Sequence, residues 1–224
     1  QNINFLLRQK SEILFARGVI FVEGPYDRQI FLSIDSKTNN QSFNQGVSII
    51  EVGGDGFSWY LDLCRYSNIP WVCIGDSKAF YSPENSCRGN LLKAVEKYVA
   101  VEAIQKLQDK VMNLKSFKKE LSNLNELLRA EKGALFCLSG LDISNTIISC
   151  VQADKKATIY KDLFVKYGGF DGESDEAKIK ADVEKSIKGK DHKMIVAAKM
   201  LETPNELEGI LKKATEALIR FSKK

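Results

Sequence analysis

Four acidic residues stand just past apolar runs, where buried strands would deliver them to a common edge. Glu23 follows Val19-Ile20-Phe21-Val22, and Asp27 lies four residues further on. Asp76 follows Trp71-Val72-Cys73-Ile74 and Gly75, while Asp142 follows Ala134-Leu135-Phe136-Cys137-Leu138 and the turn Ser139-Gly140-Leu141. The run Val47-Ser48-Ile49-Ile50-Glu51-Val52 ends instead in Gly53-Gly54-Asp55. Carboxylates crowded at one edge repel each other, and a cation between them offsets the repulsion. Oxygen ligands without Cys or His select a hard ion, Mg²⁺ or Mn²⁺, held partly through water. Such an ion suits phosphate chemistry, because it stabilises charge on the attacking and leaving oxygens. Plainer roles compete with this one. Asp27 alone could complement a helix N-terminus, worth a few tenths of a kcal/mol, and Asp142 alone could be a turn residue or cap. Glu23 is harder to dismiss, since an acid directly after four buried strand residues is costly to place without a partner.

The elements that must position these acids are legible from periodicity. The four apolar runs are continuous rather than alternating, as parallel strands covered on both faces require. Between them, Pro25 pre-sets a helical turn and Tyr26 to Ile34 carries Ile30, Phe31 and Ile34 on one stripe. A second helix is predicted from Gly56 to Ser67, with Phe57, Tyr60, Leu61 and Cys64 inward, stopped by Asn68-Ile69-Pro70. Roughly sixty residues separate the third and fourth strands. From Leu91 to Glu131 their three-and-four apolar spacing predicts one long helix or a helical hairpin. Further helices are expected at Ile143–Val151, Ile159–Tyr167, Ala177–Ser186, Met194–Leu201 and Pro204–Phe221. Strand–helix alternation then implies an α/β domain: an open, mainly parallel four-stranded sheet with helices on both faces. In such a sheet, ligands collect outside the carboxyl ends of the strands.

Composition narrows the class. The chain has 224 residues, 44% hydrophobic and 28% charged, enough for one domain with a real core. The net charge of +4 permits nucleic acid as a partner without demanding it. The single histidine, His192, excludes a centre built from several imidazoles. Five cysteines without a CxxC pair point to structural thiols in a reducing, cytoplasmic setting. No apolar run approaches a membrane span, and no secretory signal pattern is visible. The chain opens on Gln1 rather than Met, which suggests a piece of something longer.

Taken together and in order, the motifs resemble a known family. The stretch Phe15-Ala16-Arg17-Gly18-Val19-Ile20-Phe21-Val22-Glu23-Gly24-Pro25-Tyr26-Asp27 is similar to the opening strand and turn of a Toprim domain, of the kind found in OLD (overcoming lysogenisation defect) family nucleases. Ile50-Glu51-Val52-Gly53-Gly54 and Ile69-Pro70-Trp71-Val72-Cys73-Ile74-Gly75-Asp76 resemble that family's second and third strands, and Leu138-Ser139-Gly140-Leu141-Asp142 its later acidic segment. The likeness covers about residues 10 to 145. It implies one Toprim-type domain over 1–224, with a helical insertion at 88–132 and a helical region at 143–224. It further implies a Mg²⁺- or Mn²⁺-dependent DNA endonuclease module, attached to an ATPase domain that is not in this chain, since no GxxxxGK[ST] pattern occurs. By position, Glu23, Asp27, Asp76 and Asp142 would hold metal, with Glu23 also catalytic. Gly53, Gly54, Lys78 and Ser139 would face substrate, and Lys190 or Lys193 would steady transition-state charge. A solvated basic turn is the competing account of either of those lysines.

One departure matters. Where the resemblance implies a second acid after Asp76, this chain reads Asp76-Ser77-Lys78. A lysine there removes a carboxylate and adds a cation, which favours a one-metal, weakened or inactive site. The fourth-strand acid is Asp where Glu is more usual, shortening its reach by a methylene. A module for DNA binding or assembly is therefore the alternative expectation, with the helical insertion as a surface for forming a homo-oligomer. A nucleotide-binding doubly wound domain is the remotest reading, because no GxGxxG loop is present.

Overall fold

The computed structural model describes residues 11–39, 41–53, 56–82, 87–110, 114–138 and 205–223. Four strands, β1 (Gly18–Val22), β2 (Val47–Glu51), β3 (Trp71–Gly75) and β6 (Gly133–Cys137), form a sheet in the order β2-β1-β3-β6. Every pairing in it is parallel, with Val19 opposite Ser48 on one side and Trp71 on the other, and Trp71 opposite Gly133. All five residues of β1 and of β3 are buried, which explains their unbroken apolarity. Period-two alternation splits them between two cores. Ile20 and Val22 face one side, with Val72 and Ile74, while Val19 and Phe21 face the other, with Trp71 and Cys73.

The helices divide accordingly. On the Ile20 side lie α1 (Pro25–Lys37) and α8 (Asn205–Ser222), through Ile30, Phe31 and Ile34 and through Leu207, Leu211 and Leu218. On the Phe21 side lie α3 (Phe57–Tyr66), α5 (Asn90–Val95), α6 (Val101–Gln108) and α7 (Leu114–Leu128). Strand order dictates this split. The chain moves one way from β1 to β2 and the other way from β2 to β3 and β6, so crossovers of a single hand place their helices on opposite faces. The short helix α2 (Gln41–Asn44) is seated by buried Asp35, whose carboxylate accepts the Ser42 and Phe43 N–H groups at 2.8 and 3.3 Å. The Ser42 hydroxyl meets Thr215 at 2.8 Å and so ties α2 to α8.

The segment between β3 and β6 is more broken than its periodicity suggests. The short helix α4 (Ser77–Phe80) leads into an antiparallel hairpin, β4 (Tyr81–Ser82) with β5 (Cys87–Arg88), which the sequence reading did not anticipate. Two-residue strands carry too little alternation to register as a pattern. The following stretch forms three helices rather than one long helix or a simple hairpin, with Ala100 in extended backbone before α6. The β2 strand stops at Glu51, one residue short of the expected run, and β6 begins one residue earlier, at Gly133. Gly133 is required there, because an added Cβ would overlap the Trp71 indole. The final helix matches its expected span closely. The helices expected at 143–151, 159–167, 177–186 and 194–201 lie outside the described residues, as do Gly54, Ser139, Asp142, Lys190 and Lys193. Among the described residues no helix is long and apolar enough to cross a membrane.

Candidate functional site at the carboxyl edge of the sheet

Because all four strands run parallel, their carboxyl ends share one edge. The connection from β1 leaves toward β2, whereas β3 lies on β1's other side, so the strand order reverses between β1 and β3. A crevice forms at such a reversal point, and in open α/β sheets it takes the ligand. Glu23 is the residue after β1 and Asp76 the residue after β3. The two acids thus exit neighbouring strands on the two sides of that crevice.

Backbone hydrogen bonds draw the remaining strand exits to the same edge. Gly53 donates its N–H to the Glu23 carbonyl at 3.0 Å, and Leu138 donates to the Gly75 carbonyl at 2.9 Å. Gly53 holds φ +68, a left-handed conformation that glycine adopts without strain, and among the described residues nothing lies within 4 Å of a Cβ built on it. The β2 exit therefore turns beside Glu23 with bare backbone.

Both aspartates are held by helix starts. The Asp27 carboxylate reaches back from the third position of α1 to accept the Gly24 N–H at 2.9 Å, with Pro25 leading that helix. The Asp76 carboxylate accepts the Ala79 N–H at 3.0 Å and so caps α4. Such bonds hold both carboxylate rotamers in place. Lys78, within α4, is exposed. Glu23, Asp27 and Asp76 are all half-buried.

The edge also holds charges that the motifs did not point to. Arg28, one residue beyond Asp27, sends its Nε to the Ile49 carbonyl at 2.8 Å and lies 3.2 Å from Glu51, the last residue of β2. Its Nη2 lies 3.6 Å from Glu12. Glu51 in turn adds to the burial that raises the Tyr60 pKa. At the β6 exit the Cys137 thiol is pushed up to about 12, chiefly by burial. The Asp76 and Glu206 charges add to that rise and Lys118 opposes it. Asp76, Lys118 of α7 and Glu206 of α8 therefore act on one locality. No sequence signal marked Lys118 or Glu206, since each reads as an ordinary charge on a solvated helix face.

Among the described residues, no three His, Cys, Asp or Glu side chains form a ready metal cluster. The donor chemistry still fits a hard cation. Mg²⁺ usually takes one or two carboxylates and completes its shell with water and substrate phosphate, and Glu23 and Asp76 are the carboxylates at the crevice that could take that role. Asp142, the remaining sequence candidate, lies outside the described residues.

The comparisons with known proteins bear on the fold that carries this edge. Residues 14–77 match the model of the overcoming lysogenization defect protein-like Toprim domain, a span that includes β1, β2, β3, Glu23, Asp27 and Asp76. The fold is similar to a solved C-terminal region of the Xanthomonas campestris pv. campestris OLD protein, phased with platinum, at 18% identity and a TM-score of 0.55. That match covers 93% of this chain and 96% of the other. A mercury-phased structure of the same region gives 16% identity and a TM-score of 0.54, covering 93% and 97%. No curated protein matches the chain. The Toprim resemblance carried by the motifs is thus borne out over 14–77, and the sheet with its helices has the fold of those OLD C-terminal regions.

Proposed function

We propose, starting from an OLD-like Toprim segment at residues 14–77, that this chain is a divalent-metal-dependent DNA endonuclease module hydrolysing phosphodiester bonds. One observation carries the reading: Glu23 and Asp76 flank the point where strand order reverses, at the carboxyl ends of adjacent parallel strands. Bound between them, Mg²⁺ or Mn²⁺ would supply Lewis-acid stabilisation of charge on the phosphate. Glu23 takes the proton of the attacking water, and Asp76 is held in a fixed orientation by the Ala79 N–H. Asp27 positions the turn that presents Glu23. The bare backbone at Gly53 lets a DNA strand approach closely. The matched structures are themselves C-terminal regions, which supports an N-terminal ATPase domain as the natural partner.

The test is nicking of supercoiled plasmid in Mg²⁺ or Mn²⁺ by the wild type and by Glu23→Ala. The variant is expected to lose at least about a hundredfold in rate, the usual worth of a general base. Equal cleavage by both proteins, persisting through repurification, would assign the activity to a contaminant.

A second reading has its own observation. Lys78 occupies the position where a second acid is expected, and Asp76 caps the very helix that carries it. A module retaining one metal, or used for DNA binding or assembly, follows from that arrangement. Lys78→Asp separates the two: a rise in Mg²⁺-dependent nicking favours a weakened nuclease, and no nicking by either protein favours the non-catalytic role.

A further inference from the structure

Beside the edge strand β6, between α7 and α8, lies a cavity of about 540 Å³ whose cations gather toward the opposite edge of the sheet. Its position follows from the topology. Lys132 directly precedes β6 and therefore sits at the amino edge. The helix α8 runs to the same edge, since Glu206 at its start influences Cys137 whereas Leu218, near its end, would meet a Cβ on Gly18 at 3.1 Å. Five strand residues at about 3.3 Å each separate this edge from the acidic one by roughly 16 Å.

Four cations line the cavity: Arg129, Lys132, Arg220 and Lys223. The carboxylate among its lining residues, Glu126, lies 2.8 Å from Arg129. The walls are apolar and include the partly buried rings of Phe136 and Phe221. Lys132 is held at φ 52, a left-handed conformation where Gly or Asn would be less strained. Pairing of an added peptide strand is blocked at Leu135, whose N–H and C=O are both taken by the Asn125 side chain at 2.7 and 2.9 Å. Aromatic walls with a cationic rim suit a ligand that joins a flat ring to an anion.

We propose that this cavity binds a nucleotide, its base against Phe136 and Phe221 and its phosphate among Lys132, Arg129 and Arg220. The nucleotide comes either free or as part of a DNA strand. The site is independent of the carboxylate edge, so binding is measured in EDTA, which silences any metal-dependent activity. The whole 224-residue chain is titrated calorimetrically with AMP, with a short 5′-phosphorylated single-stranded oligodeoxynucleotide and with inorganic phosphate. AMP or the oligonucleotide is expected to bind at least about tenfold tighter than phosphate alone. Lys132→Asn combined with Arg220→Gln should remove that binding, and Phe221→Leu should weaken it. Asn tolerates the left-handed position, and matched melting temperatures confirm that the variants fold. Binding by AMP identifies a free nucleotide as the source, and binding by the oligonucleotide alone identifies a strand. The proposal fails if neither binds better than phosphate, or if the double variant binds as the wild type does.

Discussion

The observed helix-start bond of Asp27 can be separated by substitution from the metal role that the family resemblance implies for it. Its carboxylate accepts the Gly24 N–H from the third position of α1, where the Asn amide oxygen can accept the same bond but brings no negative charge to the helix start, a difference of about 0.3–1 kcal/mol. Asp27→Asn should therefore unfold in urea within about 1 kcal/mol of the wild type, and Asp27→Ala, which also loses the hydrogen bond, should be about 1–2 kcal/mol less stable. A metal role would appear instead as lost Mn²⁺ affinity in both variants. At the β6 exit, burial holds the Cys137 thiol at about 12 against an ordinary value of 9.0. The folded state keeps this proton longer than the unfolded one, so the stabilisation is complete below pH 9 and declines as pH rises toward 12. Over that window one such thiol lowers stability by about 1.4 kcal/mol per pH unit. Cys137→Ala should make the fall in urea stability between pH 9.5 and 10.5 shallower by about 1 kcal/mol. An unchanged slope would mean that the thiol is not protected.

At the level of elements, what could be read in the sequence is what buried parallel strands impose. Runs such as Val19–Val22 must be apolar throughout because helices cover both faces, and residues just past them must turn, which made Glu23 and Asp76 visible. The capping use of Asp27 was legible as a competing role, since Gly-Pro followed by an acid is a helix-start pattern. Three features left no such trace. The hairpin of β4 and β5 is too short to alternate, Arg28 pairs with Glu51 across β2 only once the register exists, and Lys118 and Glu206 reach the Asp76 locality only through packing. Asn125 belongs with them. It reads as a polar residue in the middle of a helix, yet its amide satisfies both backbone groups of Leu135 on the exposed side of β6. Asn125→Ala should cost about 1–3 kcal/mol in denaturant unfolding. It should also promote association through the uncovered edge, measurable by light scattering. A cost below about 0.5 kcal/mol would show that water replaces the amide without penalty.

For the molecule as a whole, the two ends of the sheet present different charged groups. Carboxylates gather where β1 and β3 end, and lysines and arginines gather where β6 begins. The acidic end is the one that a parallel α/β sheet offers to a ligand, and the proposed divalent ion would be shared there between Glu23 and Asp76. The most direct test is Mn²⁺ binding by calorimetry to the wild type, Glu23→Ala and Asp76→Ala at equal fold stability. The wild type is expected to bind Mn²⁺, and each variant to lose at least about tenfold in affinity. Wild-type affinity retained in both variants, or no binding by the wild type, would contradict a metal centre at this edge.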